Sequence, residues 1–278
     1  MKVVKELPLY LLHSLKLSTI PKSRLGKQSK ETLPIIVSLT SIESRLKSLH
    51  LVIRSLLTQS QLPQKIVLWL HQDLKEKLPG SLTKLESDLF EICYTHLRSS
   101  HKKLIHSLEK YPESIIVTCD DDLMYRKNWL SLIYAASQDF PGYIIGNETL
   151  HVNYSKEGEP LPYRKWKYPE NALENDNAII AIGAWGILYP PHSLNKKVFD
   201  TKLFMELAPF SDDFWFKAMA LLEQTKTKQA SITPKEPIPI AGTQKISLKK
   251  MNIKGVKNDV QWKTLSDYFD LLKYIEPR

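Results

Sequence analysis

Ser114-Ile-Ile-Val-Thr-Cys119 is apolar on both faces and runs straight into Asp120-Asp121-Asp122. A short run of this kind belongs in the centre of a sheet that is covered on both sides. The same rhythm repeats upstream. Pro34-Ile-Ile-Val-Ser-Leu-Thr40 reads as a buried strand, and residues 44–57 follow with Leu46, Leu49, Val52, Ile53, Leu56 and Leu57 at helical spacing. Lys65-Ile-Val-Leu-Trp-Leu70 and Phe90-Glu-Ile-Cys-Tyr-Thr95 are two further strands, and residues 81–89 and 101–111 are helices. Strands alternating with helices predict an α/β fold, a mostly parallel sheet flanked by helices. Ligands of such sheets bind at the carboxyl ends of the strands. The Asp triplet stands at such an end.

Downstream the pattern loosens. Residues 142–167 are rich in Tyr, Pro and Gly and read as hairpins and loops, and the apolar run 177–189 holds Gly183 and Gly186 and stops at Pro190-Pro191. Ser211 is placed to cap a helix over 212–222, with Phe214, Trp215, Ala218, Leu221 and Leu222 on its apolar side. Three prolines make 233–239 a loop, and residues 260–274 close the chain as a helix.

Composition removes several classes. The 278 residues carry a net charge of +9 but only nine glycines, no two of them separated by a single residue. A G-x-G-x-x-G dinucleotide loop is therefore impossible, and no G-x-x-x-x-G-K phosphate loop occurs. Cys93 and Cys119 have no C-x-x-C partner, which fits a reduced, cytoplasmic compartment. The apolar stretch 7–17 is too short to span a bilayer and reads as a helix packed on the core. Its Leu-rich face beside Lys2, Lys5, Lys16, Lys22 and Arg24 leaves peripheral contact with an anionic membrane as the other reading. The positive charge would also suit a nucleic-acid binder, yet no RNP or zinc-finger pattern accompanies it, so nucleic acid is not the expected partner.

Three adjacent carboxylates repel one another in a low-dielectric cleft. Solvation in an acidic turn would relieve that repulsion, and so would a hard divalent cation such as Mg²⁺ shared with substrate phosphate oxygens. Asp212 and Asp213 open a helix, where the helix dipole favours acids in any case. If that helix points at the triplet, one of the pair can act as a general base. Arg45, Lys102 and Lys103 begin helices at the same sheet edge, where cations and free N–H groups meet an anionic ligand. Trp185, between Gly183 and Gly186, and Tyr189 are candidates for the wall of an acceptor sugar, and core packing explains such aromatics equally well.

Ile35-Ile-Val-Ser-Leu-Thr-Ser41 with Arg45-Leu46 and Ser55-Leu-Leu-Thr-Gln59 resembles the opening strand and helix of bacterial GT-A-fold glycosyltransferases of the family 2 type. Ile115-Ile-Val-Thr-Cys-Asp-Asp-Asp122 with Tyr125 and Trp129-Leu130 is similar to the strand that carries their D-x-D motif. Gly186-Ile-Leu-Tyr-Pro-Pro191 and Ala208-Pro-Phe-Ser-Asp-Asp-Phe-Trp215 resemble the later acceptor-side and catalytic-helix segments of enzymes that build surface polysaccharides.

The resemblance implies a Rossmann-like catalytic domain over 34–232. Residues 34–140 would be its nucleotide-sugar half and 141–232 its acceptor half, with a helical segment over 1–33 and an acceptor-side extension over 233–278. It implies a UDP- or GDP-sugar donor, and a saccharide or lipid-linked acceptor in lipopolysaccharide or capsule assembly. A Mn²⁺ or Mg²⁺ cofactor would sit on Asp120 and Asp122. Thr40, Arg45, Lys103, Asp120 and Asp121 would bind the nucleotide sugar, Trp185 and Tyr189 the acceptor, and Asp212 or Asp213 would be the base of an inverting transfer. Many GT-A enzymes also place a late histidine on the metal. The last histidine here is His192, which leaves that place to Asp259 or water. A sugar-nucleotidyltransferase is the nearest alternative, although its Gly-rich loop is missing.

Overall fold

The computed structural model describes residues 2–27, 32–168, 175–243 and 257–275. In chain order its elements are α1 (Lys2–Thr19), β1 (Thr32–Thr40), α2 (Leu46–Leu56), β2 (Leu62–His71), α3 (Gly80–Thr83), β3 (Phe90–Thr95), α4 (Lys102–Lys110) and β4 (Ile115–Thr118). There follow β5 (Leu123–Met124), α5 (Trp129–Asp139), β6 (Ile144–Gly146), β7 (Thr149–His151), β8 (Ile179–Ala181), β9 (Ile187–Tyr189), α6 (Thr201–Leu207), α7 (Asp212–Leu222), β10 (Thr227–Gln229), β11 (Ile238–Pro239) and α8 (Lys257–Phe269).

Seven strands form one sheet in the order β10-β6-β9-β4-β1-β2-β3. β3, β2, β1 and β4 are parallel, as are β6 and β10. β9 alone runs antiparallel, wedged between β4 and β6. The sheet is thus Rossmann-like and mostly parallel, with helices on both faces, as the alternation of strands and helices predicts. Two apolar clusters divide it. One holds Ile35, Val37 and Leu39 of β1 with α2 and α5, and the other holds Ile36, Val67 and Ile116 with α4 and α7. Alternate side chains of β1 enter opposite clusters, as the period of two requires.

A buried polar relay fixes α4 against the sheet. Trp69 Nε1 donates to Ser107 Oγ at 2.8 Å, Ser107 donates to Ser38 Oγ at 2.8 Å, and Ser38 donates to the carbonyl of Lys103. Two serines that would be costly to bury alone satisfy one another. As a result α4 starts at the carboxyl edge of β1.

Two expectations change. The helix over 81–89 shrinks to Gly80–Thr83, because Ser87 and Phe90 exchange backbone hydrogen bonds in a turn that leads into β3. The end of the proline loop is not irregular: Ile238 and Pro239 pair antiparallel with Met124 and Leu123, and Ile240 N–H donates to the Asp122 carbonyl at 2.8 Å. This segment braces the backbone just beyond the triplet. Among the described residues, no helix is long and apolar enough to cross a membrane.

Candidate active site

β4 ends at Thr118, and the backbone turns at Cys119, whose N–H is held by the Ser38 carbonyl at 3.1 Å. The three carboxylates then diverge. Asp121 is buried and accepts from Ser41 Oγ and from Arg45 Nη1. Asp122 pairs with Arg45 Nη2 at 3.1 Å. Asp120 is the most accessible of the three and meets Lys103 Nζ at 3.2 Å. Burial pushes the Asp122 carboxyl up to about 7, the Asp120 charge adds to that, and Arg45 opposes it.

Tyr125 ties this turn to the rest of the site. Its hydroxyl accepts from Asp120 N–H at 2.8 Å and donates to the Ala184 carbonyl at 3.0 Å, while its own N–H donates to Ser55 Oγ at 3.0 Å. The triplet, α2 and the turn at Gly183–Trp185 are therefore tied together through one side chain. Gly186 closes that turn with φ +99°, and a Cβ there would stand 2.6 Å from the Trp129 ring. Only glycine fits.

α7 points its N-terminus at the same place. Lys103 Nζ lies 3.0 Å from Asp212 Oδ2, so one buried ammonium links Asp120 to Asp212. Ser100 Oγ donates to Asp212 Oδ1 at 3.0 Å. Burial alone would raise the Asp212 carboxyl, but Lys103 outweighs it with help from Ser100, and Asp212 is held below the usual carboxylate range. Asp213 differs. It accepts a hydrogen bond of 3.0 Å from Gly183 N–H, and burial together with the Asp212 charge pushes it up to about 7. A Cβ on Gly183 would approach Asp213 Oδ1 to 3.0 Å, so the backbone passes the carboxylate as closely as a glycine allows. Two neighbouring carboxyls driven apart in this way are a pattern of acid–base sites.

Most of the residues singled out in the sequence converge here, although several have other tasks. Arg45 is committed to Asp121 and Asp122. The Thr40 hydroxyl is used by the Trp69 carbonyl at 2.8 Å. Tyr189 offers no open wall to an acceptor: only 3% exposed, it packs edge-on against Phe216 in the core behind Asp213. β9 places it there, because its side chain falls on the covered face of the sheet. Trp185 is half-buried, and its carbonyl accepts from Trp129 Nε1 at 2.7 Å and Asn147 Nδ2 at 2.9 Å. Asp259 is remote from the triplet's network and accepts from Tyr163 N–H at 2.6 Å.

Lys102 and Tyr163 carry more than the sequence suggested. Lys102 makes no ion pair among the described residues, and burial lowers its ammonium to about 8 against the pull of Asp121. Tyr163 lies tilted against Trp166 and Phe214, and burial and the Asp213 charge raise its hydroxyl. Its position depends on a contact 96 residues away along the chain, which no local pattern signals.

A divalent cation does not fit the donor set as it stands. Arg45 lies between Asp121 and Asp122, Lys103 holds Asp120, and no group of three metal-ligating side chains converges among the described residues.

No family model and no curated protein matches the chain. Many solved structures share a remote likeness, and two of them serve as examples. One is CMP:2-keto-3-deoxy-manno-octonic acid synthetase complexed with CTP, 12% identical over 82% of this chain and 100% of that one, with a TM-score of 0.40. The other is 4-diphosphocytidyl-2C-methyl-D-erythritol synthase from Anaerococcus prevotii, 13% identical over 82% and 96%, with a TM-score of 0.44. Both names sit closer to the sugar-nucleotidyltransferase alternative than to a glycosyltransferase. Likeness this remote carries no weight for the reaction.

Proposed function

We propose that this chain is a glycosyltransferase, moving a sugar from a nucleoside-diphosphate sugar to a hydroxyl of a saccharide acceptor. The observation behind this reading is the Asp213 carboxyl, half-buried, held by Gly183 N–H and raised to about 7 beside an Asp212 that Lys103 holds below the usual carboxylate range. A general base works best when its pKa lies near the operating pH. Asp213 takes the proton of the acceptor hydroxyl as that oxygen bonds to the anomeric carbon. The bond from that carbon to the diphosphate oxygen breaks, and its electron pair leaves with the nucleoside diphosphate. Lys102, with no carboxylate of its own, meets the growing negative charge. Lys103 keeps Asp120 and Asp212 in place. Tyr163 stands on the acceptor side, close enough to Asp213 to feel its charge.

The test is incubation with a panel of UDP- and GDP-sugars and oligosaccharide acceptors, followed by mass spectrometry. A glycosylated acceptor and free nucleoside diphosphate are expected. Pyrophosphate and a new nucleotide sugar, formed from a nucleoside triphosphate and a free sugar acid, would instead establish nucleotidyl transfer.

A further inference from the structure

We propose that α1 is a membrane-surface anchor that lays a leucine face onto anionic lipid, an inference independent of the reaction at the carboxylates. One side of α1 is fixed to the body of the protein. Leu17 is buried, Tyr10 and Ile20 pack on the first cluster, and His13 Nε2 lies 3.4 Å from Arg126. Arg54 of α2 caps the far end, donating to the carbonyls of Leu17 at 2.7 Å, Ser18 at 3.3 Å and Ile20. The helix is therefore held rigidly, with its rotation set.

The other side is bare. Leu11 is 57% exposed, Leu12 63% and Leu15 66%, and Leu7 continues the stripe at 45%. At 3.6 residues per turn these four fall within an arc of about 140°. Tyr10, His13, Ser14 and Leu17 occupy the opposite arc. Isolated exposed leucines need no explanation, but a contiguous stripe marks an interaction surface.

Charge decides between the occupants. The first 30 residues hold seven lysines and arginines against one acid, six of the chain's nine net charges. Lys16, Lys22, Arg24 and Lys27 are exposed. A second copy of the helix would bring two such segments together and be repelled. A leaflet of anionic lipid attracts the cations and accepts the leucines below its headgroups. The structure thus combines the two readings of the N-terminal segment: one face packs on the core, and the other is free for the membrane.

The test is co-sedimentation of the full chain with vesicles of phosphatidylcholine alone, and of phosphatidylcholine and phosphatidylglycerol in equal parts. Binding to the anionic vesicles is expected to be at least about tenfold tighter and to weaken with salt. Leu12→Glu/Leu15→Glu should cut that binding by at least about tenfold while the melting midpoint stays unchanged, because both side chains point outward. Lys22→Ala/Arg24→Ala should lower the preference for phosphatidylglycerol. Wild-type protein left in the supernatant with both vesicles would overturn the proposal, as would equal binding by the leucine variant. Light scattering that shows a lipid-free dimer, broken by the same variant, would assign the stripe to a second copy instead.

Discussion

Replacing Asp213 with asparagine separates catalysis from stability in opposite directions. The asparagine Oδ1 can still accept from Gly183 N–H, and Lys103 keeps its contacts with Asp120 and Asp212. What disappears is a half-buried negative charge next to another one. The folded carboxyl sits near 7 against an ordinary 3.8, so folding favours its protonated form. The stability this group contributes is full below 3.8 and is lost as the pH rises towards 7. At pH 8 the ionised form weakens the fold by up to about 4 kcal/mol, which asparagine removes. Each kcal/mol moves the melting midpoint by about 2–4 °C in a chain of this size. The variant should therefore melt with wild type near pH 4 and increasingly above it between pH 4 and 7.

Turnover should go the other way. Loss of a general base costs about 10²–10⁴ in rate. In the wild type, kcat/KM should rise with pH through about 7 and then level, while in Asp213→Asn the remaining rate should be flat across that window. Release of nucleoside diphosphate in the presence of the acceptor measures the first quantity, and calorimetry at a series of pH values the second. Wild-type turnover in the variant, or a melting difference that narrows as the pH rises, would refute the assignment.

Three other perturbations probe the scaffold. Arg45→Ala strips buried Asp121 of its partner and should cost about 3–5 kcal/mol; Mn²⁺ should restore part of that in the variant and shift the wild type less, and equal shifts in thermal melts would show that Arg45 does not occupy the cation's place. Gly186→Ala forces a Cβ into the Trp129 ring at φ +99° and should cost more than about 2 kcal/mol, read as loss of soluble yield and a lower urea midpoint. Lys217→Met replaces an ammonium that burial pushes down from 10.5 to about 7. A lowered lysine gives full stability above 10.5 and loses it as the pH falls towards 7, so the variant should gain up to about 5 kcal/mol near neutrality and almost nothing near pH 10.5, checked by melts at both.

The parallel half of the fold was legible because its strands are apolar runs of the right length between amphipathic helices, and Phe90–Thr95 falls where its β-branched and aromatic residues put it. The antiparallel insertion was not. Residues 187–189 are as apolar as a parallel strand, and nothing local tells whether such a run joins the sheet head-to-tail or reversed. The pairing of Ile238 with Met124 was hidden for another reason: Pro239 signals a loop, and a proline can still end a two-residue edge ladder. For the site, the triplet and the Asp212-Asp213 pair were visible as acids, but adjacency in sequence says nothing of which cation each one finds. Arg45 is 76 positions from Asp121, and Ser100 is 112 from Asp212.

That allocation is what distinguishes Asp213. Five carboxylates face three cations at this edge of the sheet, and each cation has a different task. Arg45 is shared by Asp121 and Asp122, which it immobilises. Lys103 is shared by Asp120 and Asp212, joining the end of β4 to the start of α7. Lys102, buried, forms an ion pair with none of them among the described residues. Among the described residues, Asp213 alone of the five has no cation in direct contact, and its donor is the Gly183 backbone N–H. Burial raises its pKa and the neighbouring Asp212 charge raises it further, against the weaker pull of Lys103 and the Gly183 N–H. The lysine that holds Asp212 below the usual carboxylate range thus sets the charge beside Asp213, the group we propose as the base.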